Sequence, residues 1–242
     1  MKALLLSTLF LTGLLRAGEY LQVNLPLGPR GSVSSFHYFV FSTKDHTLRV
    51  IDQGSGARRY KNLESAMRAN GCVAGMSGVD FGRNGKPPGL LIAAGLVRGR
   101  ADPKAAEAAA TLYAEKGQIR LVRSSVFNAK APPLPREVIQ TGPYLIEGGK
   151  LASDLDGGSF TRRSVIATDG KGKWLIAYTP PTSQVQLATV LSLPSSLENF
   201  NIVSAVEVAQ GSLAAMWCRL PHAPLYFREI DPLPSFIGIA EK

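Results

Sequence analysis

The chain is expected to fold as an α+β domain: a mixed, largely antiparallel β-sheet with two or three flanking helices. Three observations lead there. Short apolar runs with two-residue alternation recur along the chain, separated by Gly, Pro and Asp-Gly turn signals. Two segments show helical spacing between capping residues, and a third begins at Asp102. No window repeats, which argues against solenoids and propellers. With 242 residues, 45% of them apolar and only 19% charged, the chain can bury a full core and is most simply one domain.

Residues 1–18 read as a secretory signal peptide and 19–242 as the single domain. Lys2 supplies the positive start, and Ala3–Leu15 is apolar apart from Ser7, Thr8, Thr12 and Gly13. Ala17 and Gly18 offer a cleavage site, and the run is short for a membrane span. The layout implies export, to a periplasm or the extracellular space. Arg16 beside the cleavage site leaves an uncleaved anchor open as the alternative, and that segment is the one membrane contact expected.

Loss of Lys2 and Arg16 with that segment lowers the formal charge from +9 to +7. A basic balance favours anionic partners, phosphorylated glycans or a membrane surface. Nucleic acid is not expected, because the basic residues are scattered and no helix-turn-helix or zinc spacing occurs. Neither a metal nor a cofactor is expected. Cys72 and Cys218 are the two cysteines, and a disulfide and two buried thiols both remain open.

Taken in order, Glu19–Leu25 alternates as a first strand, and His37–Ser42 and Thr47–Asp52 form a pair around Lys44-Asp45. Asn62 to Asn70 predicts a helix: Asn62 caps it, Leu63, Ala66 and Met67 share a face, and Asn70-Gly71 ends it. Cys72–Ser77 is a buried strand of small residues, followed by a Gly-rich turn over 82–89 and the strand Leu90–Ala93. Asp102 and Pro103 predict a short helix that gives way to a hairpin across Lys116-Gly117.

Gln140–Pro143 reads as a polar turn. Gly148-Gly149 and the stretch Asp169-Gly170-Lys171-Gly172 then each predict a hairpin, with Arg162-Arg163 held between them. Ser183–Leu193 is a helix with Val185, Ala188 and Leu191 on one side. Ile202–Val208, Met216–Arg219, Leu225–Glu229 and Phe236–Ala240 complete the strands.

This order of features resembles the phosphodiester glycosidase-like proteins, the family of the lysosomal enzyme that uncovers mannose 6-phosphate. The resemblance spans roughly Tyr38 to Ile239. It rests on Gln140-Thr141-Gly142-Pro143-Tyr144-Leu145-Ile146 with Gly149-Lys150, and on Arg162-Arg163-Ser164-Val165-Ile166 followed by Asp169-Gly170. Gly85-Lys86-Pro87-Pro88-Gly89-Leu90 and Pro232-Leu233-Pro234-Ser235-Phe236-Ile237-Gly238 match more loosely.

The resemblance implies a pocket for a phosphorylated glycan or sugar phosphodiester. Arg163 would hold the phosphate in preference to Arg162, and Gln140 and Thr141 would line the wall. Gly211 and Ser212 would donate hydrogen bonds, and Gly75 belongs to the same set by its place on the small-residue strand. That strand, the arginine strand and Ile202–Val208 should lie in one sheet region with their ends converging on the pocket.

Two departures stand out. The family's Asn-Gly-Gly-Phe-Phe or Asn-Ala-Gly-Met-Phe reads Val73-Ala74-Gly75-Met76-Ser77 here, and Asn-Leu-Asp-Gly-Gly-Ser reads Glu207-Val208-Ala209-Gln210-Gly211-Ser212. Asparagine is missing from the first and aspartate from the second. Leu155-Asp156-Gly157-Gly158-Ser159 spells the lost string, but it precedes the arginine strand and reads as an ordinary turn. Strand alternation is expected to turn Glu207 away from the site. No catalytic residue is assigned. A hydrolase of sugar phosphodiesters and a non-catalytic binder of envelope glycans or anions both follow, with little hydrolysis expected.

Overall fold

The computed structural model describes residues 18–54, 58–82, 84–102, 104–130, 132–194 and 196–242. Residues 1–17, which carry nearly all of the expected signal peptide, and Pro103 lie outside the described residues.

The chain begins with β1 (Glu19–Leu25), β2 (Ser34–Ser42), β3 (His46–Asp52), α1 (Leu63–Ala69) and β4 (Cys72–Ser77). Five strands follow: β5 (Leu91–Ala93), β6 (Leu96–Arg98), β7 (Ala110–Glu115), β8 (Gln118–Arg123) and β9 (Glu137–Thr141). Next come β10 (Tyr144–Glu147), β11 (Lys150–Leu151), β12 (Thr161–Thr168), β13 (Lys173–Thr182) and α2 (Gln184–Leu191). The chain closes with β14 (Ser204–Gln210), β15 (Met216–Cys218), β16 (Leu225–Phe227) and β17 (Ser235–Glu241).

These strands make three sheets. The first has seven strands in the order β1-β2-β13-β12-β14-β10-β11, the second five as β16-β15-β4-β17-β3, and the third five as β6-β5-β9-β7-β8. Among the described residues every pairing is antiparallel, so the expected mixed sheet is corrected to an antiparallel one. Among the described residues strand dominates, with two short α-helices. The third helix expected after Asp102 is a single 3-10 turn at Ala106–Ala108, after which β7 begins. The alternating Thr111–Tyr113 stretch outweighs the alanine run there, because it pairs with both β8 and β9.

Alternation places Phe39, Phe41, Ile166 and Ile176 in a central core shared by all three sheets. It places Phe36, Tyr38, Val165, Ala167 and Leu175 on the opposite face, beneath Leu187, Ala188 and Leu191 of α2. Val185 is not on that buried side as expected but is 41% exposed. Helix α1 carries the anticipated cap: the Asn62 side chain accepts from Ser65 N at 2.9 Å, while Ser65 Oγ accepts from Asn62 N at 3.0 Å. Its Met67 lies over Gly75, where an added Cβ would approach Sδ to 1.9 Å. The small residues of β4 therefore let the helix sit close on the sheet. Cys72 and Cys218 are free and buried, and burial pushes the Cys72 thiol up to about 11.

Both hairpins around the arginines form. The β10–β11 turn has Gly148 and Gly149 at φ +59° and +76°, which suits glycine and few other residues. Asp169 to Gly172 joins β12 to β13. Gln140 is not in a turn, however, but inside β9.

Candidate functional site

β4 does not share a sheet with β12 and β14, contrary to expectation, because it pairs with β15 and β17. The ends still meet. Buried Ser164 of β12 reaches across: its Oγ donates to Ala215 O at 3.1 Å and accepts from Ala215 N at 3.0 Å. Just beyond β4, Val79 and Asp80 face Glu207, Val208, Ala209 and Gln210 of β14 across a cavity of about 540 Å³. Gly142 and the loop residues Asn84, Lys86, Pro87 and Pro88 also line it, with Glu107 on the same wall.

Arg163 is wholly buried and bonded to Glu207 and Gln210, two of the residues that line this cavity. Its Nε donates to Thr182 O at 2.8 Å and Nη2 to Ser159 O at 2.7 Å. Nη1 donates to Glu207 Oε2 and to Gln210 Oε1. Glu207, 3% exposed, accepts a further bond from Gln184 Nε2 at 3.3 Å on its other oxygen. Burial pushes the Glu207 carboxyl above its ordinary range, while Arg163 and Gln184 pull it part of the way back. The expectation that alternation would hide Glu207 is corrected. β12 and β14 slip register between Ser164↔Ala209 and Val165↔Glu207, so Val208 is the extra residue of a bulge. The bulge helps four successive residues, 207 to 210, to line one cavity.

The other expected site residues are engaged by the protein itself. Arg162 donates to the carbonyls of Gly211, Ser212 and Arg228, so it caps the chain leaving β14. Gly211 takes φ +62° at that turn, and Ser212 O also accepts from Ile230 N at 2.7 Å. Thr141 Oγ1 donates to Glu207 O at 3.1 Å. Gln140 is fully buried: its Oε1 accepts from Leu90 N at 2.8 Å and Asp102 N at 3.1 Å, and its Nε2 donates to Thr111 Oγ1. Gly75 makes room for α1. Neither Arg163 nor any of these six residues is among those lining the cavity. Asp156 is exposed, and its Oδ1 accepts from Gly158 N and Ser159 N in its own loop. Among the described residues no group of three or more His, Cys, Asp or Glu could hold a metal ion.

The family follows from comparison with known proteins. The phosphodiester glycosidase family model matches residues 70–239. The chain belongs to the phosphodiester glycosidase family. None of the curated proteins matches it in sequence. Among solved structures it is similar to the catalytic domain of zebrafish N-acetylglucosamine-1-phosphodiester alpha-N-acetylglucosaminidase auto-inhibited by its pro-peptide. That likeness has a TM-score of 0.64 at 14% identity and covers 93% of this chain and 83% of the other. A hypothetical protein from Synechocystis is similar at a TM-score of 0.59 and 13% identity, over 92% of this chain and 62% of that one. At such identities the likeness shows the fold. Set against the phosphodiester glycosidase motif, Glu207 stands where the family carries asparagine, two residues before Ala209. The signal for it was the pair itself: a carboxylate gained beside the one lost.

Proposed function

We propose that the cavity binds a sugar phosphodiester and that Glu207 acts as general acid in its hydrolysis. The reading is carried by Glu207, a residue that lines the cavity and whose buried carboxyl is fixed by Arg163 and Gln184 and raised by burial. Each carboxylate oxygen has one such partner, which leaves a lone pair on either oxygen free to carry the proton. Water would add to the sugar carbon as the bond to the phosphate oxygen breaks. Glu207 would give its proton to the departing oxygen and regain one from water.

Lys86 is the one cation among the described residues lining the cavity, beside Asp80, Glu107 and Glu207. The phosphate is therefore best placed at Lys86 and the sugar away from it. The test is sugar release from an N-acetylglucosamine 1-phosphodiester by the purified chain, followed against pH. Release should slow as pH rises and Glu207 loses its proton.

A second reading, binding without cleavage, is favoured by Ala209 at the family's aspartate position and by the protein partners that occupy both arginines. Binding with no sugar release would select it. Export through residues 1–18 belongs to the same proposal, because an exported chain would meet envelope glycans. Processing at Gly18, read from the N-terminus of the secreted protein, checks it.

A further inference from the structure

A second cavity, of about 520 Å³, lies against the first and shares Asn84, Lys86, Pro87 and Pro88 with it. Its own walls are Val97, Arg98, Gly99, Arg100, Ala101 and Asp102. The partition between the two is firmly built. Gly82 N donates to Lys86 O at 2.9 Å and Gly85 N to Gly82 O at 2.8 Å, closing the loop on itself. Gly99, at φ +66°, lies so near this wall that a Cβ would come within 2.3 Å of Gly89 O and 2.7 Å of Pro87 Cγ. Gln140 then ties Leu90 and Asp102 to one buried amide oxygen, fixing the roots of both walls.

The charge balance of this second cavity is the reverse of the first. Its one acid among the described residues, Asp102, turns Oδ1 to the backbone N–H groups of Lys104 and Ala105 at 3.0 and 3.3 Å. Arg98 is paired through Nε with Asp52 Oδ2 at 2.8 Å. Arg100 and Lys86 are exposed, and among the described residues their side chains have no hydrogen-bond or ion-pair partner. An uncommitted guanidinium and ammonium about one shared cleft form a receptor for a phosphate, the guanidinium by paired hydrogen bonds. Pro87, Pro88 and Val97 supply apolar surface for a sugar ring beside it.

We propose that this second cavity takes the next phosphate along the substrate, so that the ligand is a glycan with phosphodiesters on successive units rather than a single linkage. This rests on the reading of the first cavity as the sugar phosphodiester site. The phosphate between the two sugars would sit at Lys86, the residue both cavities share, and the following phosphate at Arg100.

The experiment measures dissociation constants by calorimetry for two synthetic N-acetylglucosamine compounds, one with a single phosphodiester and one with two in succession. In the unaltered chain the two-linkage compound should bind about 10-fold tighter or more, as expected for a charge-assisted contact. Raising salt should shrink that ratio. In Arg100→Ala the ratio should fall toward one. Arg100 is exposed, so thermal unfolding of the variant should match the parent.

Equal affinities in the unaltered chain would overturn the inference while single-linkage binding upheld the first-cavity reading. A large ratio that survives Arg100→Ala would also overturn it, placing the extra contact elsewhere. Failure of both compounds to bind would overturn both readings. Arg100-dependent binding of the longer compound alone would support the second cavity and overturn the first-cavity reading.

Discussion

At the end of β14 the Arg163 guanidinium is wholly buried among Glu207, Gln210, Ser159 and Thr182, whereas across the cleft Arg100 and Lys86 stand exposed. The first arrangement is a fixed frame: its charges were removed from water at a cost of several kcal/mol each, and only their mutual geometry offsets it. The second is solvated, so its charges remain available to a ligand. A cation that merely reads as a phosphate ligand in sequence can thus be part of the frame, and an unremarked one in a loop can be the better receptor.

Substitutions should separate the two regions by magnitude. Arg163→Met, which strands Glu207 in the interior, should lower the free energy of unfolding by about 3–5 kcal/mol in urea titration. Much of that should return when Glu207→Leu is added; a loss no greater than 1 kcal/mol for the single change would show that the pair is not the frame. Gln140→Ala should follow, at roughly 2–4 kcal/mol, because Leu90 N and Asp102 N lose their buried acceptor.

A smaller, pH-dependent effect belongs to Glu207. Its carboxyl is raised by burial, so the folded state holds the proton more tightly than the unfolded chain. The stability this contributes is complete below the ordinary glutamate range and is lost as pH rises through the folded value. Midpoints measured from pH 3 to 8 should therefore decline for the parent relative to Glu207→Gln over that rise; parallel curves would contradict the shift. Smallest of all, Lys86→Ala on the exposed wall should change stability by less than about 0.5 kcal/mol.

Much of the fold was legible in the residues. Gly148, Gly149 and Gly170 sit at positive φ and gave away both hairpins, and Asn62 with Ser65 marked the first helix. Segments that pair on both edges were harder to place. Gln140 looks like turn chemistry until β9 is seen between β5 and β7. Its partners, Leu90 and Asp102, lie 50 and 38 residues away. Glu207 was hidden by the bulge at Val208, which breaks the two-residue alternation on which facing is inferred from sequence. Thr141, Arg163 and Gly211 do not line the cavity but each touches or adjoins a residue that does. Backbone bonds and register then decided which side chains face it.

The most direct measurement is single-turnover sugar release from an N-acetylglucosamine 1-phosphodiester, comparing the parent chain with Glu207→Gln. The glutamine keeps the size of the side chain and an acceptor for Arg163 but cannot give up a proton, and because it also removes the charge paired with Arg163 the unfolding midpoints are compared alongside the rates. The account predicts measurable release by the parent and a fall of about 10²–10⁴-fold in the variant. Equal rates in the two proteins, or a loss seen in Asp156→Asn instead, would contradict it.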